Sequence, residues 1–540
     1  MEYRWDYPPA GSPARQQALT ESLGISATLA QILEQRGVHS FAQAKQFFRP
    51  QWSQLHDPLT MKDMDRAVER VHRAVQQQER IMIYGDYDVD GTTAVALLYS
   101  FLKPQHPHLL TYIPDRYAEG YGVSQAGVEE AFRQKVKLII ALDCGIKARR
   151  QVAYAREKGI DFIICDHHLP GAELPAAVAV LDPKRPDCPY PFKELSGCGV
   201  GFKLAQALAQ KWHLPKSAYQ DLADLLAVSI GADIVPIVGE NRVLAAFGLR
   251  KLNEDPRPGL KLLQERSQAK ASPWDITKVV FQIGPRINAA GRIAHGREAV
   301  ALLTATNGEA VSELAGLIDE HNQNRKELDQ NITREALRQI EAAQEQERAT
   351  TVVQSAHWHK GVIGIVASRL TEHYYRPTVV LAENDGLLTG SARSVQGFNL
   401  YEALEECEPH LEQFGGHAFA AGMSMRKEQY ESFKAAFEAA VAKRLRPEHR
   451  SPSLSIDAEL AWPEINGKFY RVMQQMAPFG PGNPQPLFVS HGLLDSGESR
   501  AVGNDQRHLK LHLRCPSSGL SLGGIAFNLA ERWPLVRSGR

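Results

Sequence analysis

At 540 residues the chain exceeds the size at which one hydrophobic core stops growing, so several domains are expected. Hydrophobic residues at 43% and charged ones at 23% describe an ordinary globular protein, and no apolar run approaches the roughly twenty residues that cross a bilayer. Lys plus Arg (62) equals Asp plus Glu (62), which excludes a globally basic surface, so a polyanion would have to be met locally.

The chain opens with "MEYRWDYPPAGSP", which has neither the basic segment nor the apolar core of a secretory signal. Six scattered cysteines, Cys144, Cys165, Cys188, Cys198, Cys407 and Cys515, form no CxxC pair, so reduced thiols and a cytoplasmic setting are expected. Up to about Gln51 one short helical pattern shows, around Thr28 to Arg36, and the stretch reads as an N-terminal extension. From about Asp63 to Asp255 apolar runs alternate with amphipathic helices. "RIMIYGD" predicts a strand and "TTAVALLYSFLK" a helix, and "KLIIALDCG", "KARRQVAYAREKG" and "DFIICDHH" repeat the pattern as strand, helix, strand. "AAVAVLDPK" adds a strand, and "LADLLAVSIGAD" is an apolar helix or strand. Such alternation predicts an α/β fold with a parallel sheet. Apolar side chains from Val311 to Ala343 are spaced as in one helix of about thirty residues, roughly 45 Å long, which would connect two domains. "TTVVQS", "PTVVLAE" and the glycine-rich "EQFGGHAFAAGMSM" predict a smaller α/β domain. Beyond "RPEHRSPS" short strands dominate, and a small β-barrel is expected.

Four segments of the first domain share one layout, an apolar run that stops at an acidic or imidazole group. They deliver Asp86, Asp88 and Asp90, then Asp143, then Asp166, His167 and His168, then Asp233. In an open parallel sheet the strand C-terminal ends lie along one edge, so these groups could converge there. Three aspartates at every second position repel one another unless a cation lies among them. A lone aspartate is an ordinary helix cap or turn residue; four such ends together point to metal. Oxygen donors mixed with imidazole suit Mn²⁺ or Mg²⁺, and the number of donors suits two divalent ions about 3.5 to 4 Å apart, the arrangement that hydrolyses phosphoesters. A nicotinamide dehydrogenase is excluded, because "GDYDVDGT" puts carboxylates where a pyrophosphate would sit.

"GDYDVDG" together with Asp166-His167-His168 resembles the DHH phosphoesterase superfamily. "PDRYAEGYGVS", "SGCGVGFKLAQAL", "GADIVPIVGENR", "GPRINAAGRI", "WHKGVIGIVASRL", "GSARSVQGFNL" and "FGGHAFAAG" are similar to the RecJ family of single-strand-specific 5′ exonucleases within it. The resemblance implies metal ligation by Asp86, Asp88, Asp90, Asp143, His167 and Asp233, and a catalytic role for Asp88. It makes His168 a phosphate contact or proton donor, with Asp166 a catalytic residue that could hold an imidazole in place. Arg116, Arg286, Arg292 and Arg393 stand beside glycines or small residues, where backbone and guanidinium can approach a phosphate. The resemblance implies a 5′-phosphate pocket of Arg116, Arg292, Ser391 and Arg393, with Gly415, Gly416 and His417 meeting nucleotide. In "HLKLHLR" the leucines alternate with a basic face, and Lys510 and Arg514 on it are expected to track a single strand as in an OB-fold. The implied domains are an extension at 1–62, a DHH catalytic domain at 63–305, a connecting helix at 306–348, a DHHA1 domain at 349–448 and an OB-like barrel at 449–540. The implied function is two-metal 5′-to-3′ digestion of single-stranded DNA to 5′-mononucleotides in repair and recombination. The implied protein is a monomer that works with single-strand-binding protein and a RecQ-type helicase. A cyclic-dinucleotide phosphodiesterase of the same superfamily would share the metal site without needing the long helix or the barrel.

Overall fold

The computed structural model describes residues 3–267, 272–384 and 386–537. By its internal contacts the chain divides into a larger unit, Gln51–Pro452 with Pro478–Asn483, and a smaller one, Arg4–Pro50 with Ser453–Ala477 and Pro484–Arg540.

In the larger unit, strands β1 (Ile81–Gly85), β2 (Leu109–Tyr112), β3 (Leu138–Leu142), β4 (Asp161–Cys165) and β5 (Ala179–Leu181) form a wholly parallel sheet in the order β2-β1-β3-β4-β5. Every residue of β1 and β3 is buried. A parallel sheet is covered on both faces, which is why "IMIYG" and "LIIAL" read as continuous apolar runs. Side chains alternate between two cores, with Ile81, Ile83, Leu138 and Ile140 in one and Met82, Tyr84, Ile139 and Ala141 in the other. The chain leaves β1 toward β2 and returns across it to β3, so the crevice between the C-terminal ends of β1 and β3 is a topological switch point. Helices α1 (Val89–Leu102), α2 (Gly197–Lys211), α3 (Ala223–Ala232) and α4 (Gly284–Ile293) pack around that crevice.

The long helical pattern is one continuous helix, α5 (Gly308–Ala342), of 35 residues. Its N-terminal half contributes Val311, Ala315 and Ile318 to the core under the parallel sheet, and its C-terminal half contributes Ile332, Ala336 and Ile340 to a separate core. Between the halves the buried stripe turns polar at Asn322, Arg325 and Asp329. Asp329 is fully buried and binds Arg369 at 2.7 Å, while the Arg325 guanidinium lies 3.7 Å away. Arg369 belongs to helix α6 (Ile363–Tyr374), so this carboxylate fastens the connecting helix to α6.

A second sheet is built from β6 (Thr351–Ser355), β7 (Thr378–Asn384), β8 (Leu387–Arg393), β9 (Gln413–Gly416) and β10 (Ala420–Arg426) in the order β9-β10-β8-β7-β6. Only the β6/β7 pair is parallel.

In the smaller unit the N-terminal stretch holds three helices, Pro13–Leu23, Ala27–Gln35 and Phe41–Phe48, where the sequence showed one. Pro13–Leu23 buries only Leu19, so it has no periodic stripe to read. Arg36 pairs with Asp457 at 2.7 Å, and Arg4–Asp6 lies parallel to Ser453–Ser455, tying this stretch to the C-terminal region. There, strands β11 (Leu494–Asp495), β12 (Arg500–Val502) and β14 (Ser521–Ala526) each pair antiparallel with the central β13 (His508–Arg514). Leu509 is buried, whereas Lys510 and Arg514 are exposed. Among the described residues no helix is long and apolar enough to cross a membrane.

Candidate metal centre

The end of each of the three central strands delivers part of one cluster. Asp86 directly follows β1, and Asp88 is the N-cap of α1, accepting from Gly91 N at 3.0 Å. Asp143 follows β3 with a left-handed φ of 59°, a conformation aspartate tolerates better than most residues. Asp166, His167 and His168 follow β4. Asp233 does not come from a strand: it is the C-cap of α3, which corrects the expectation of four strand ends. An apolar run of this length suits either element, and packing against α1 and α2 made it a helix.

His167 Nε2 is the hub, 3.2 Å from Asp143 Oδ1, 3.6 Å from Asp233 Oδ2 and 3.8 Å from Asp90 Oδ2. Asp90 is held by Gly197 N and Cys198 N in the first turn of α2, at 2.6 and 2.9 Å, and by Ser229 Oγ of α3 at 2.7 Å. The helix N-terminus favours that negative charge. Gly197 is required by space, since a Cβ there would sit 2.5 Å from Asp143 Cβ.

Burial, reinforced by Asp90, Asp88 and Asp233, pushes the Asp143 carboxyl well above the usual carboxylate range. Burial with Asp88 does the same to Asp86, and burial with Asp90 raises Asp88. Burial, Asp90 and Asp88 push Asp233 up to about 9, opposed by Lys184. Burial holds the His167 imidazole below its ordinary value. Several buried atoms of the cluster make no hydrogen bond, namely Asp86 Oδ2, Asp143 Oδ1, Asp233 Oδ2 and both ring nitrogens of His167. Buried polar atoms are rarely left without partners. One ligand atom from each of Asp90, His167 and Asp233, and from each of Asp143, His167 and His168, lies within 4.8 Å of the others in its group, a donor set that fits divalent cations.

Asp166 does not join the hub; it organises His168. Its Oδ1 binds His168 Nδ1 at 2.7 Å, and its Oδ2 accepts from Ile146 N at 2.9 Å. Burial raises the Asp166 carboxyl, but the His168 hydrogen bond and charge outweigh it and the pKa falls. Burial lowers His168, but the Asp166 bond together with the charges of Asp166, Asp90 and Asp88 outweighs it, so its pKa rises. Tyr121 Oη lies 3.2 Å from His168 Nε2. A cleft of about 470 Å³ is lined by Asp88, Tyr121, Asp166, His168 and, from the turn between β9 and β10, His417. Gly415 and Gly416 close that strand.

The arginines separate into two groups. Arg116 lies over the Tyr87 ring at 4.7 Å. Arg292 donates to Gly361 O at 3.0 Å, and burial with the neighbouring Arg116 charge lowers its pKa to about 10. Burial and Arg116 also lower Arg393, which donates to Ser391 Oγ at 2.9 Å. A Cβ on Gly364, in the first turn of α6, would lie 3.0 Å from Arg393 Nη2 and 3.1 Å from Ser391 Oγ, so the helix N-terminus adjoins them. Arg116, Arg292 and Arg393 thus repel one another around a helix N-terminus, a setting suited to an anion. Arg286 stands apart, its guanidinium committed to Asp319 Oδ1 at 2.9 Å, Gln282 O at 2.7 Å and Arg266 O at 3.3 Å.

No local pattern marks Tyr121, Ser229, Gly197 or Lys184, although "EGYGVS" and "SGCGVG" contain two of them. Nor does any pattern mark Asp182. It follows β5, its Oδ2 is buried without a partner, and burial raises its pKa to about 7.

Comparison with known proteins agrees with this arrangement. The model of the DHH family N-terminal domain matches residues 80–230, that of the DHHA1 domain 348–443, and that of the RecJ OB domain 456–540. The single-stranded-DNA-specific exonuclease RecJ of Escherichia coli K12 is 34% identical over 548 residues, covering 96% of this chain and 93% of that protein. This chain belongs to the RecJ family. RecJ of Bacillus subtilis strain 168 is 39% identical across 95% of the chain, which spans 64% of that longer protein. Among solved structures, RecJ in complex with Mn²⁺ from Thermus thermophilus superposes with a TM-score of 0.83 at 30% identity, covering 97% of this chain and 74% of that one. The Mg²⁺ complex from the same organism gives a TM-score of 0.76 at 28% identity. The RecJ fold therefore accounts for both sheets, the long helix and the C-terminal strands.

Proposed function

We propose that this RecJ-family chain is a metal-dependent exonuclease specific for single-stranded DNA, degrading it from the 5′ end to 5′-mononucleotides in DNA repair and recombination. The observation that carries the reading is the set of unpaired carboxylate and imidazole atoms around His167, in the same unit as the Arg116, Arg292 and Arg393 cluster. Asp86, Asp88, Asp90, Asp143, His167 and Asp233 would hold two divalent ions, Mn²⁺ or Mg²⁺, as expected from the ions in the two T. thermophilus complexes. Such ions, when bound, activate a water and neutralise charge on the phosphate under attack.

The chain's own residues do the rest. Arg116, Arg292, Arg393 and Ser391 grip the terminal 5′-phosphate and so set which phosphodiester reaches the cleft. Asp166, bound to Nδ1, turns His168 Nε2 toward the cleft, where Tyr121 now meets it. When the P–O3′ bond breaks, His168 Nε2 gives its proton to the departing 3′ oxygen. The products are a 5′-mononucleotide with a free 3′ hydroxyl and a shortened strand with a new 5′-phosphate. His417 contacts the nucleotide from the opposite wall, beside Gly415 and Gly416. Arg286 supports α4 against α5 and acts on the strand only through that framework.

The proposed division is catalytic domain 63–305, connecting helix 306–348, DHHA1 domain 349–448 and OB domain 449–540, after a first segment 1–62. An enzyme that needs an exposed 5′ strand depends on a reaction that separates duplexes and on proteins that keep strands apart. We therefore assign a RecQ-type helicase and single-strand-binding protein as partners of a cytoplasmic monomer. The test is Mn²⁺-dependent release of mononucleotides from DNA labelled at one end or the other, with His167→Ala as control. Equal digestion of blunt duplex, or release starting at the 3′ end, would refute the reading.

A further inference from the structure

Two apolar side chains stand exposed, Ile234 next to Asp233 in the chain and Phe281 in the segment before α4, and core packing explains neither. Ile234 is 64% exposed and has a φ of 61°. It occupies the position just past the end of α3, where glycine is the usual residue because a left-handed backbone crowds Cβ, and a β-branched side chain fits worst. A loose loop is not the cause. Val235 and Ile237 return at once to the interior at 8% and 0% exposure, and Ile237 N donates to Pro481 O at 2.7 Å. Phe281 is 70% exposed and lies in a π-helical turn, Val279–Ile283, directly before α4. Such turns are rare and concentrate at functional sites. Val279 and Ile283, at the ends of the turn, are fully buried. One base carries both residues, since a Cβ on Gly231 in the last turn of α3 would lie 3.0 Å from Val279 Cγ1. The helix end that places Asp233 thus also presents the isoleucine and seats the turn that presents the phenylalanine.

We propose that Ile234 and Phe281 form an apolar step on which the bases of the single strand rest as it approaches the metal centre. The inference rests on the substrate proposed above and adds a grip that phosphate contacts cannot give. Every base has a π face, so stacking and packing on such a step hold a strand without reading its sequence. A duplex keeps its bases stacked inside and offers the step nothing, which adds to discrimination against it.

The full chain with Mn²⁺, a 5′-phosphorylated oligonucleotide, and the same oligonucleotide carrying abasic sites two to four nucleotides from its 5′ end make the test. Phe281→Ala and Ile234→Gly are each expected to raise KM for the intact strand about five- to tenfold, the low end of what removing the support of one stacked base costs, with kcat within about twofold. The abasic strand should raise the wild-type KM by a similar factor and add little in the variants. Ile234→Gly should also melt at a higher temperature, because glycine takes the left-handed backbone freely; weaker binding by a more stable protein is not misfolding. Variants with wild-type KM, or an abasic penalty undiminished in the variants, would overturn the proposal. So would a concentration-dependent doubling of mass, abolished by either substitution with KM unchanged, which would assign the step to contact between copies. Failure of the substrate reading is separable, because wild-type protein would then leave the intact strand undigested.

Discussion

At the residue scale, Asp166 and His168 divide the labour that their shared tripeptide with His167 conceals. His167 faces the carboxylates, whereas His168 is bound to Asp166 and turned into the cleft. His168→Ala is expected to lower kcat about 10²- to 10⁴-fold, the usual contribution of a general acid, while KM changes little. Single-turnover digestion measures this, and an unchanged rate would remove His168 from the chemistry. Gly197→Ala tests the spacing of the metal centre. With a Cβ only 2.5 Å from that of Asp143, α2 or the Asp143 turn must move. Mn²⁺ affinity measured by calorimetry should fall at least tenfold, and retention of wild-type affinity would show that the turn yields freely.

At the scale of elements, α5 couples two cores through a polar stripe. Asp329 is fully buried between Arg325 and Arg369, so Asp329→Asn leaves the Arg325 charge without its counter-ion. Breaking a buried pair from one side costs about 3 kcal/mol or more. Urea unfolding should show that loss, and a change below about 1 kcal/mol would mean that solvent reaches the pair. The same helix shows what sequence periodicity conveys. Val311, Ile318, Ile332 and Ile340 announce one long helix, but Asn322, Arg325 and Asp329 interrupt the apolar stripe. That these three are buried was not legible, because Arg369 of α6, which holds Asp329, lies far along the chain.

For the whole molecule, a chain with no net charge must hold a polyanion by local patches, so binding should weaken with salt. Lys510 and Arg514 are exposed on one face of β13. Replacing both with glutamate is expected to flatten the slope of log affinity against log salt by about 1.4, at about 0.7 for each single-strand phosphate no longer neutralised. Fluorescence anisotropy with a labelled oligonucleotide reads the slope, and an unaltered value would remove β13 from the DNA path.

The sequence by itself determined the parallel α/β core, the long helix, the motif carboxylates and histidines, and membership in the family. Each of these is written in local pattern: a period of two or 3.6, or a short run of chemically able side chains. Tertiary structure alone decided which of those side chains meet. It placed Asp233 on a helix end, committed Arg286 to Asp319, brought Ser229 and Gly197 to Asp90, and set Tyr121 against His168. The reason is that distance between residues remote in sequence depends on how helices pack across the sheet, and no local pattern carries that information.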